Sequence, residues 1–328
     1  MDKNKNKNTQ QGAPLVSIRC LVYNHEPFLR QCLDGFVMQQ TTFIFEAIVH
    51  DDASTDGSAA IIREYAEKYP DIIKPIFEAE NQYSKHGPII KIMDDAMHPD
   101  SKYIAICEGD DYWTDPHKLQ IQVDFLESHP DYSFSVHDFR ALNDKNKKIS
   151  SSSWIDFLEK DEEYRTLTLD DYKKGLYFTQ TLTCVYRKTA LANSKYSDYS
   201  VKFDMTMFYA LLTQGKCVLF NRVMGVYRRH QGSATFGKNS IGFHDWVDNR
   251  LLKLCEIEGT PDVREFVYNY LKPFALVEIL FHRWDVILGY FKYLGFKRGV
   301  SLAIVTPLSM VFKSIFRKTV AFFKHVLE

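Results

Sequence analysis

The stretch Tyr103-Ile-Ala-Ile-Cys107-Glu108-Gly-Asp110-Asp111-Tyr-Trp113 decides how the chain is read. A short apolar run followed by clustered carboxylates predicts a buried strand that ends in an acidic loop. Glu108, Asp110 and Asp111 repel one another at this spacing, so the cluster is costly unless something positive binds there. A divalent cation meets that need, because hard cations prefer carboxylate oxygens and bridge them to substrate phosphates. A solvated acidic turn would look the same in isolation, so the reading depends on what stands upstream.

The same pattern occurs twice before it. Phe43 to Val49 predicts a strand running into His50-Asp51-Asp52-Ala-Ser54-Thr-Asp56-Gly57-Ser58, a polar, turn-forming loop. Beyond the loop, Ile61, Ile62, Tyr65, Ala66 and Tyr69 recur at helical spacing. Asp56 or Ser54 suits the N-cap of that helix, and Gly57 relaxes the backbone at the turn. Leu15 to Val22 predicts a first strand that ends at Tyr23-Asn24-His25-Glu26. Pro27 then sits in the first turn of a helix carrying Phe28, Cys32, Leu33, Phe36 and Val37 on one side. Polar groups thus sit three times at the C-terminal end of a predicted strand, the edge where open parallel sheets bind ligands.

Taken in order, these pieces resemble the inverting nucleotide-sugar glycosyltransferases of family 2, which have the GT-A fold. Val16-Ser17-Ile18 with Tyr23-Asn24, then Asp51-Asp52-x-Ser54-x-Asp56-Gly57, then Glu108-x-Asp110-Asp111 follow one another as the family's motifs do. Phe203-Asp204 and Val223-Met-Gly-Val-Tyr227-Arg228-Arg229-His230 complete the series. The likeness runs from about Pro14 to Gly237 and is closest to bacterial enzymes of surface-polysaccharide assembly, through Glu80-Asn-Gln-Tyr-Ser-Lys85 and Asp110-Asp-Tyr-Trp-Thr-Asp-Pro116. It implies an α/β fold over residues 14–240, a mostly parallel central sheet flanked by helices. A C-terminal helical appendage over 241–328 and a disordered tail over 1–13 are expected on either side.

The resemblance also implies roles. Asp111 is the principal ligand of a divalent cation, Mn2+ or Mg2+, with Asp110 beside the ribose and the cation. Glu108, where the family more often has Asp, is a further ligand, and His230 completes the set. Asp52 corresponds to the carboxylate that accepts the imide hydrogen of a uracil, or a comparable donor on another base. Tyr23 and Asn24 flank that base, and Arg228 or Arg229 meets the diphosphate with its planar fork of donors. Turn capping falls instead to Asp51, Ser54 and Asp56. Asp204 corresponds to the base that activates the acceptor hydroxyl, an effect worth roughly 10²–10⁴-fold in rate. A helix N-cap would put an aspartate at the same place, and Phe203 stands where the family often has a second acid. Thr179 to Thr183 corresponds to an acceptor-side strand, and Gly232 and Gly237 suit a loop that closes over the donor.

Composition agrees with a folded enzyme. The chain has 328 residues, 45% hydrophobic and 25% charged, enough for one large domain and an appendage. A net charge of −1 and the lack of a basic-aromatic stripe exclude a nucleic-acid binder. The six cysteines form no C-x-x-C pair, several lie in apolar runs, and the first residues have no apolar core, which together point to the cytoplasm. Residues 141–161 turn polar and Ser-rich and predict a mobile surface loop. Near the C-terminus, Phe312, Ile315, Phe316, Val320 and Phe323 alternate with Lys313, Arg317 and Lys324. No run there approaches the ~20 apolar residues of a membrane span, so residues 299–328 predict an amphipathic helix lying on the inner face of the membrane, with a helix packed on its own core or on a second subunit as the alternative.

The implied reaction takes a sugar from a nucleotide-sugar donor to a saccharide or lipid-linked saccharide acceptor. A non-catalytic nucleotide-sugar-binding or scaffolding protein is the alternative, and the carboxylates at 52, 110, 111 and 204 weigh against it. A nucleotidyltransferase would carry a Gly-rich basic loop after the first strand, where this chain has Tyr23-Asn24-His25-Glu26.

Overall fold

The computed structural model describes residues 12–85, 89–151, 161–174, 180–199, 202–232 and 260–271. Four strands, β1 (Val16–Val22), β2 (Phe45–Asp51), β3 (Ile73–Phe77) and β4 (Tyr103–Ile106), pair in parallel in the order β3-β2-β1-β4. Strand β5 (Tyr112–Trp113) follows the acidic loop, and β6 (Tyr132–Asn143) follows a helix. Then come β7 (Lys148–Ser151), β8 (Tyr164–Leu167), β9 (Val185–Arg187) and β10 (Lys216–Arg229). The sheet continues from β4 as β9-β6-β10-β5, with β7 on β6 and β8 on β10. β9 is antiparallel to both neighbours, so β6 and β10 run in the direction of β1 to β4. The result is the GT-A architecture that the motifs implied.

Alternation along the strands explains why the sheet is buried on both faces. Val16, Ile18, Cys20 and Val22 of β1 join one buried cluster with Leu29, Cys32, Leu33 and Phe36 of α1 (Glu26–Val37). Ile61, Ile62 and Tyr65 of α2 (Ser58–Lys68) belong to the same cluster, as do Leu119, Val123 and Leu126 of α4 (Lys118–Ser128). Each such aliphatic or aromatic side chain contributes about 1.5–3 kcal/mol when fully buried. Helix α1 lies so close to β5 that a Cβ on Gly35 would stand 3.0 Å from the Trp113 nitrogen. The other face of β1 carries Ser17 and Arg19, both buried. There Ser17 Oγ donates to Glu46 Oε1 at 2.7 Å, which satisfies a polar pair between strands.

Strand ends differ from the sequence expectation in several places. β2 runs to Asp51 rather than Val49, because the parallel ladder with β1 pairs Val22 with Asp51. The polar segment after Ala141 is not all loop: β6 continues to Asn143 and turns back as β7. The turn uses Lys147 at φ 54° and the Asn146 side chain, which accepts the Lys148 N–H. Thr181–Thr183 forms a 3₁₀ turn rather than a strand, and the strand begins at Val185. The remaining helices of this part are α3 (Ile89–Ala96), α6 (Lys188–Asn193) and α7 (Asp204–Leu212).

The described residues divide into two compact units. The first holds the sheet and the helices named so far. The second includes α5 (Leu169–Lys173) and α8 (Pro261–Leu271). Within it Tyr172 stacks on Phe266 at 5.3 Å between ring centroids, and Asn269 Nδ2 donates to the Lys173 carbonyl at 2.6 Å. The expected tail, residues 1–11 of it, the loop through Gly237 and the helix over 299–328 lie outside the described residues.

One buried cation in the first unit leads to a stability prediction. Lys118 is fully buried, with Nζ 2.7 Å from Gln122 Oε1 and 4.1 Å above the Trp113 ring. Burial pushes its pKa down to about 7. Between that value and the ordinary lysine pKa, the unfolded chain binds a proton that the folded chain does not, so stability rises with pH across that window. Lys118→Met should remove that rise. Melting curves of both proteins between neutral and alkaline pH check it, and parallel curves would refute it.

Candidate active site

The strand order reverses direction at β1, with β2 on one side and β4 on the other, which opens a crevice at their carboxyl ends. The three polar loops of the sequence meet there. The first two are stitched together: Asn24 N–H donates to Ser54 Oγ at 2.9 Å, and Asn24 Oδ1 accepts the Thr55 N–H at 2.8 Å. Asn24 and Ala53 take the left-handed conformation, at φ 54° and 58°, which asparagine tolerates better than most residues. Asp56 accepts N–H groups from Glu26 and Ser58 and Ser54 ties the first loop, but the N-cap of α2 is Gly57, with no side-chain cap bond, rather than Asp56 or Ser54.

Asp52 also caps. It is buried, and its two carboxylate oxygens accept the N–H groups of Gln82 and Tyr83 at 2.6 and 3.0 Å. It thereby holds the loop after β3 against the end of β2, a tie between Asp52 and residues 82–83 that spacing does not reveal. Tyr23 and Tyr83, on either side of this tie, present exposed rings.

The acidic loop distributes its carboxylates to different surroundings. Asp110 Oδ2 lies 3.0 Å from His230 Nε2 and 4.0 Å from His25 Nε2. Burial opposes its charge, but the His230 hydrogen bond and nearby His25 hold its pKa below the usual carboxylate range. His25 carries no signal in the sequence, because it belongs to no ligand-spacing pattern. Its Nδ1 is buried and finds no hydrogen-bond partner among the described residues, and burial depresses its pKa. A Cβ at Gly109 would stand 2.8 Å from that nitrogen, so glycine lets the loop close over His25.

Asp111 does not join this pair. The loop turns here, with Asp111 N–H donating to the Glu108 carbonyl at 3.1 Å, and the Asp111 side chain is buried with Oδ1 accepting the Arg228 N–H at 2.7 Å. Burial, with Asp110 adjacent, raises its pKa well above the ordinary value. Asp110, not Asp111, the expected principal cation ligand, faces His230. Arg228 is also turned inward. Its guanidinium donates to the Asp110 carbonyl and to Gln31 Oε1, and it lies over the rings of Phe28 and Tyr112. It buttresses the acidic loop, whereas Arg229 is exposed.

Glu108 turns toward the other end of the crevice. Its Oε2 accepts the Thr181 hydroxyl at 2.8 Å, and burial and the charge of Asp204 push its pKa up to about 7. Asp204 is the first residue of α7. The residue is exposed at the surface, and the protein around it nonetheless raises its pKa to about 6 against the opposing charge of Arg19. Among the described residues no group of three or more His, Cys, Asp or Glu is arranged to hold a metal by itself. A carboxylate such as Asp110 does suit a cation whose other ligands are phosphate oxygens and water, the usual way Mg2+ is held, and an imidazole beside it suits a softer divalent ion.

Residues 17–193, more than half of the chain, match the family described as Glycosyl transferase family 2. The chain belongs to glycosyl transferase family 2. An uncharacterized protein of Mycobacterium tuberculosis is 34% identical over 221 residues, 66% of this chain and 59% of that protein. The chain thus spans about three fifths of the length of this relative. TuaG of Bacillus subtilis, named for teichuronic acid biosynthesis, is 24% identical over 79% of this chain and 97% of its own. Among solved structures, residues 1–349 of Staphylococcus aureus TarS, in complex with UDP-GlcNAc, superpose with a TM-score of 0.63 at 15% identity, covering 88% of this chain and 84% of that one. At this identity the likeness shows the fold. Among the described residues no helix is long and apolar enough to cross a membrane.

Proposed function

We propose that the chain is a cation-assisted, inverting glycosyltransferase that moves a sugar from a nucleoside diphosphate sugar to a hydroxyl of a cell-surface saccharide or its lipid-linked precursor. The observation that carries this reading is the split of the acidic loop: Asp110 beside His230 at one end, Glu108 toward Asp204 at the other. That separates a place for the leaving diphosphate from a place for the entering hydroxyl, as a single displacement requires. The names of TuaG and of the TarS complex support the substrate class.

In this reading Tyr23 and Tyr83 offer rings to the base, while Asp52 and Asn24 fix the loops that carry them. Asp110 and His230 would hold a divalent cation, which when bound supplies positive charge to the diphosphate as its bond to the sugar breaks. Arg229 adds a fork of donors on the same side. Asp204 takes the proton of the acceptor hydroxyl as that oxygen bonds to the anomeric carbon from the opposite face, and the nucleoside diphosphate departs. One displacement inverts the configuration. A screen of nucleotide sugars with Mn2+ or Mg2+, read as nucleoside diphosphate released, tests the proposal. Donor binding without release from any sugar, with acceptor extracts present, would favour a scaffolding role.

Peripheral attachment to the membrane is part of the same reading. Removing residues 299–328 should release the protein from anionic vesicles, since each cation near such a surface contributes about 1 kcal/mol. Flotation with anionic and neutral vesicles checks this, and equal flotation of both lengths would sink it.

A further inference from the structure

Three thiols that the mechanism above leaves unused converge beneath the acidic loop. Cys20 of β1, Cys32 of α1 and Cys107, just after β4, are all fully buried. The sulfurs of Cys20 and Cys32 lie 4.0 Å apart, and Cys32 Sγ donates to the Glu108 carbonyl at 3.4 Å. Cys107 Sγ donates to the same carbonyl at 3.7 Å. Burial raises the pKa of both donors, that of Cys107 to about 12, so each keeps the proton that the bond requires. The carbonyl they meet anchors the cation site. It also accepts the Asp111 N–H at 3.1 Å, which closes a four-residue turn from Glu108 to Asp111. Asp110 stands third in that turn, with Oδ2 3.0 Å from His230 Nε2. From β1 the Leu21 carbonyl accepts the Gly109 N–H at 3.0 Å, and from β10 Arg228 Nε donates to the Asp110 carbonyl at 2.9 Å. Cys32 supplies the corresponding hold from α1.

We propose that Cys32 and Cys107 are positioning residues for the cation: their S–H groups fix the Glu108 carbonyl, and with it the turn that presents Asp110. This rests on the reading of Asp110 as a cation ligand. A ligand serves only when held within about 0.5 Å of its productive place, so a donor to the backbone of its turn acts on cation affinity without touching the cation. A thiol is a weak donor, but two of them on one buried carbonyl act together. Cys20 touches Cys32 and stands one contact farther from the loop, so its truncation opens the same kind of cavity and leaves both donors in place.

Amide hydrogen exchange of the full-length protein, followed by NMR, reads the turn directly, because the Asp111 N–H is bound to the Glu108 carbonyl. In the double variant Cys32→Ala/Cys107→Ala that amide should exchange about tenfold faster relative to the amides of β1, whereas Cys20→Ala should leave the ratio unchanged. Mn2+ alone, titrated by the electron paramagnetic resonance of the free ion, should bind about tenfold more weakly to the double variant and with wild-type affinity to Cys20→Ala. A purely structural role would lower the melting temperature of all these variants and leave the exchange ratio and the Mn2+ affinity in place. An Asp111 amide unmoved relative to β1, or an unchanged Mn2+ affinity, overturns the proposal. If the double variant does not fold, Cys32→Ala compared with Cys20→Ala decides by the same two readouts. Wild-type protein that binds no Mn2+ brings down the reading of Asp110 as a ligand, and the exchange ratio then decides separately whether the thiols hold the turn.

Discussion

Asp110→Asn is expected to lower sugar transfer by about a thousandfold or more, because it weakens the site that brings positive charge to the leaving diphosphate, worth several kcal/mol. The sharper result is the contrast with its neighbour. Asp111 is buried, burial favours its neutral form, and its Oδ1 accepts a backbone N–H that an asparagine carbonyl can accept equally well. Asp111→Asn should therefore remain folded and retain most of its activity. A titration of Mn2+ against both variants, with rates and melting temperatures from one preparation, compares them directly. If Asp111→Asn is the dead variant and Asp110→Asn is not, the assignment of the cation site is reversed. Wild-type activity that ignores chelators would remove the cation altogether.

Asp204→Asn should reduce kcat by roughly 10²–10⁴-fold, the usual contribution of a general base, while donor affinity barely moves. Asparagine keeps an N-terminal helix residue of similar size, so thermal stability should change little. If Asp204 served α7 alone, activity per folded molecule would persist in Asp204→Asn. The pH profile provides a second check. The base is active when ionised, and its pKa is raised to about 6, so wild-type activity should climb with pH through that value. An acid limb centred near the ordinary carboxylate pKa of about 4 would mean the surroundings of Asp204 differ from those described.

Much of this molecule is legible in its amino-acid sequence. The runs from Leu15, Phe43 and Tyr103 are apolar at nearly every position, as strands buried on both faces must be, and each ends in a polar loop. That local pattern is enough for parallel strands with ligand groups at one edge. Family motifs in order then point to the acidic loop and Asp204. Hairpin β6–β7 escapes such a reading because its second strand is fully exposed and Ser-rich, and a strand without a buried face leaves no period in the sequence. Thr181–Thr183 reads as a strand because the 3₁₀ turn it forms is fixed by Trp113 Nε1 on the Leu182 carbonyl, a partner 69 residues away.

What the chain order determined is which residue types stand at the crevice; what the tertiary structure alone decided is the direction in which each one points. Asp110 and Asp111 are adjacent and chemically identical, yet one meets His230, 120 residues on, and the other a backbone amide of Arg228. Arg228 and Arg229 divide in the same way between a buttress and an exposed side chain. His25 enters the site only because β1 lies next to β4. The physical reason is that local propensity acts along the chain, whereas a charge takes its pKa and its partner from whatever folding brings within a few ångströms.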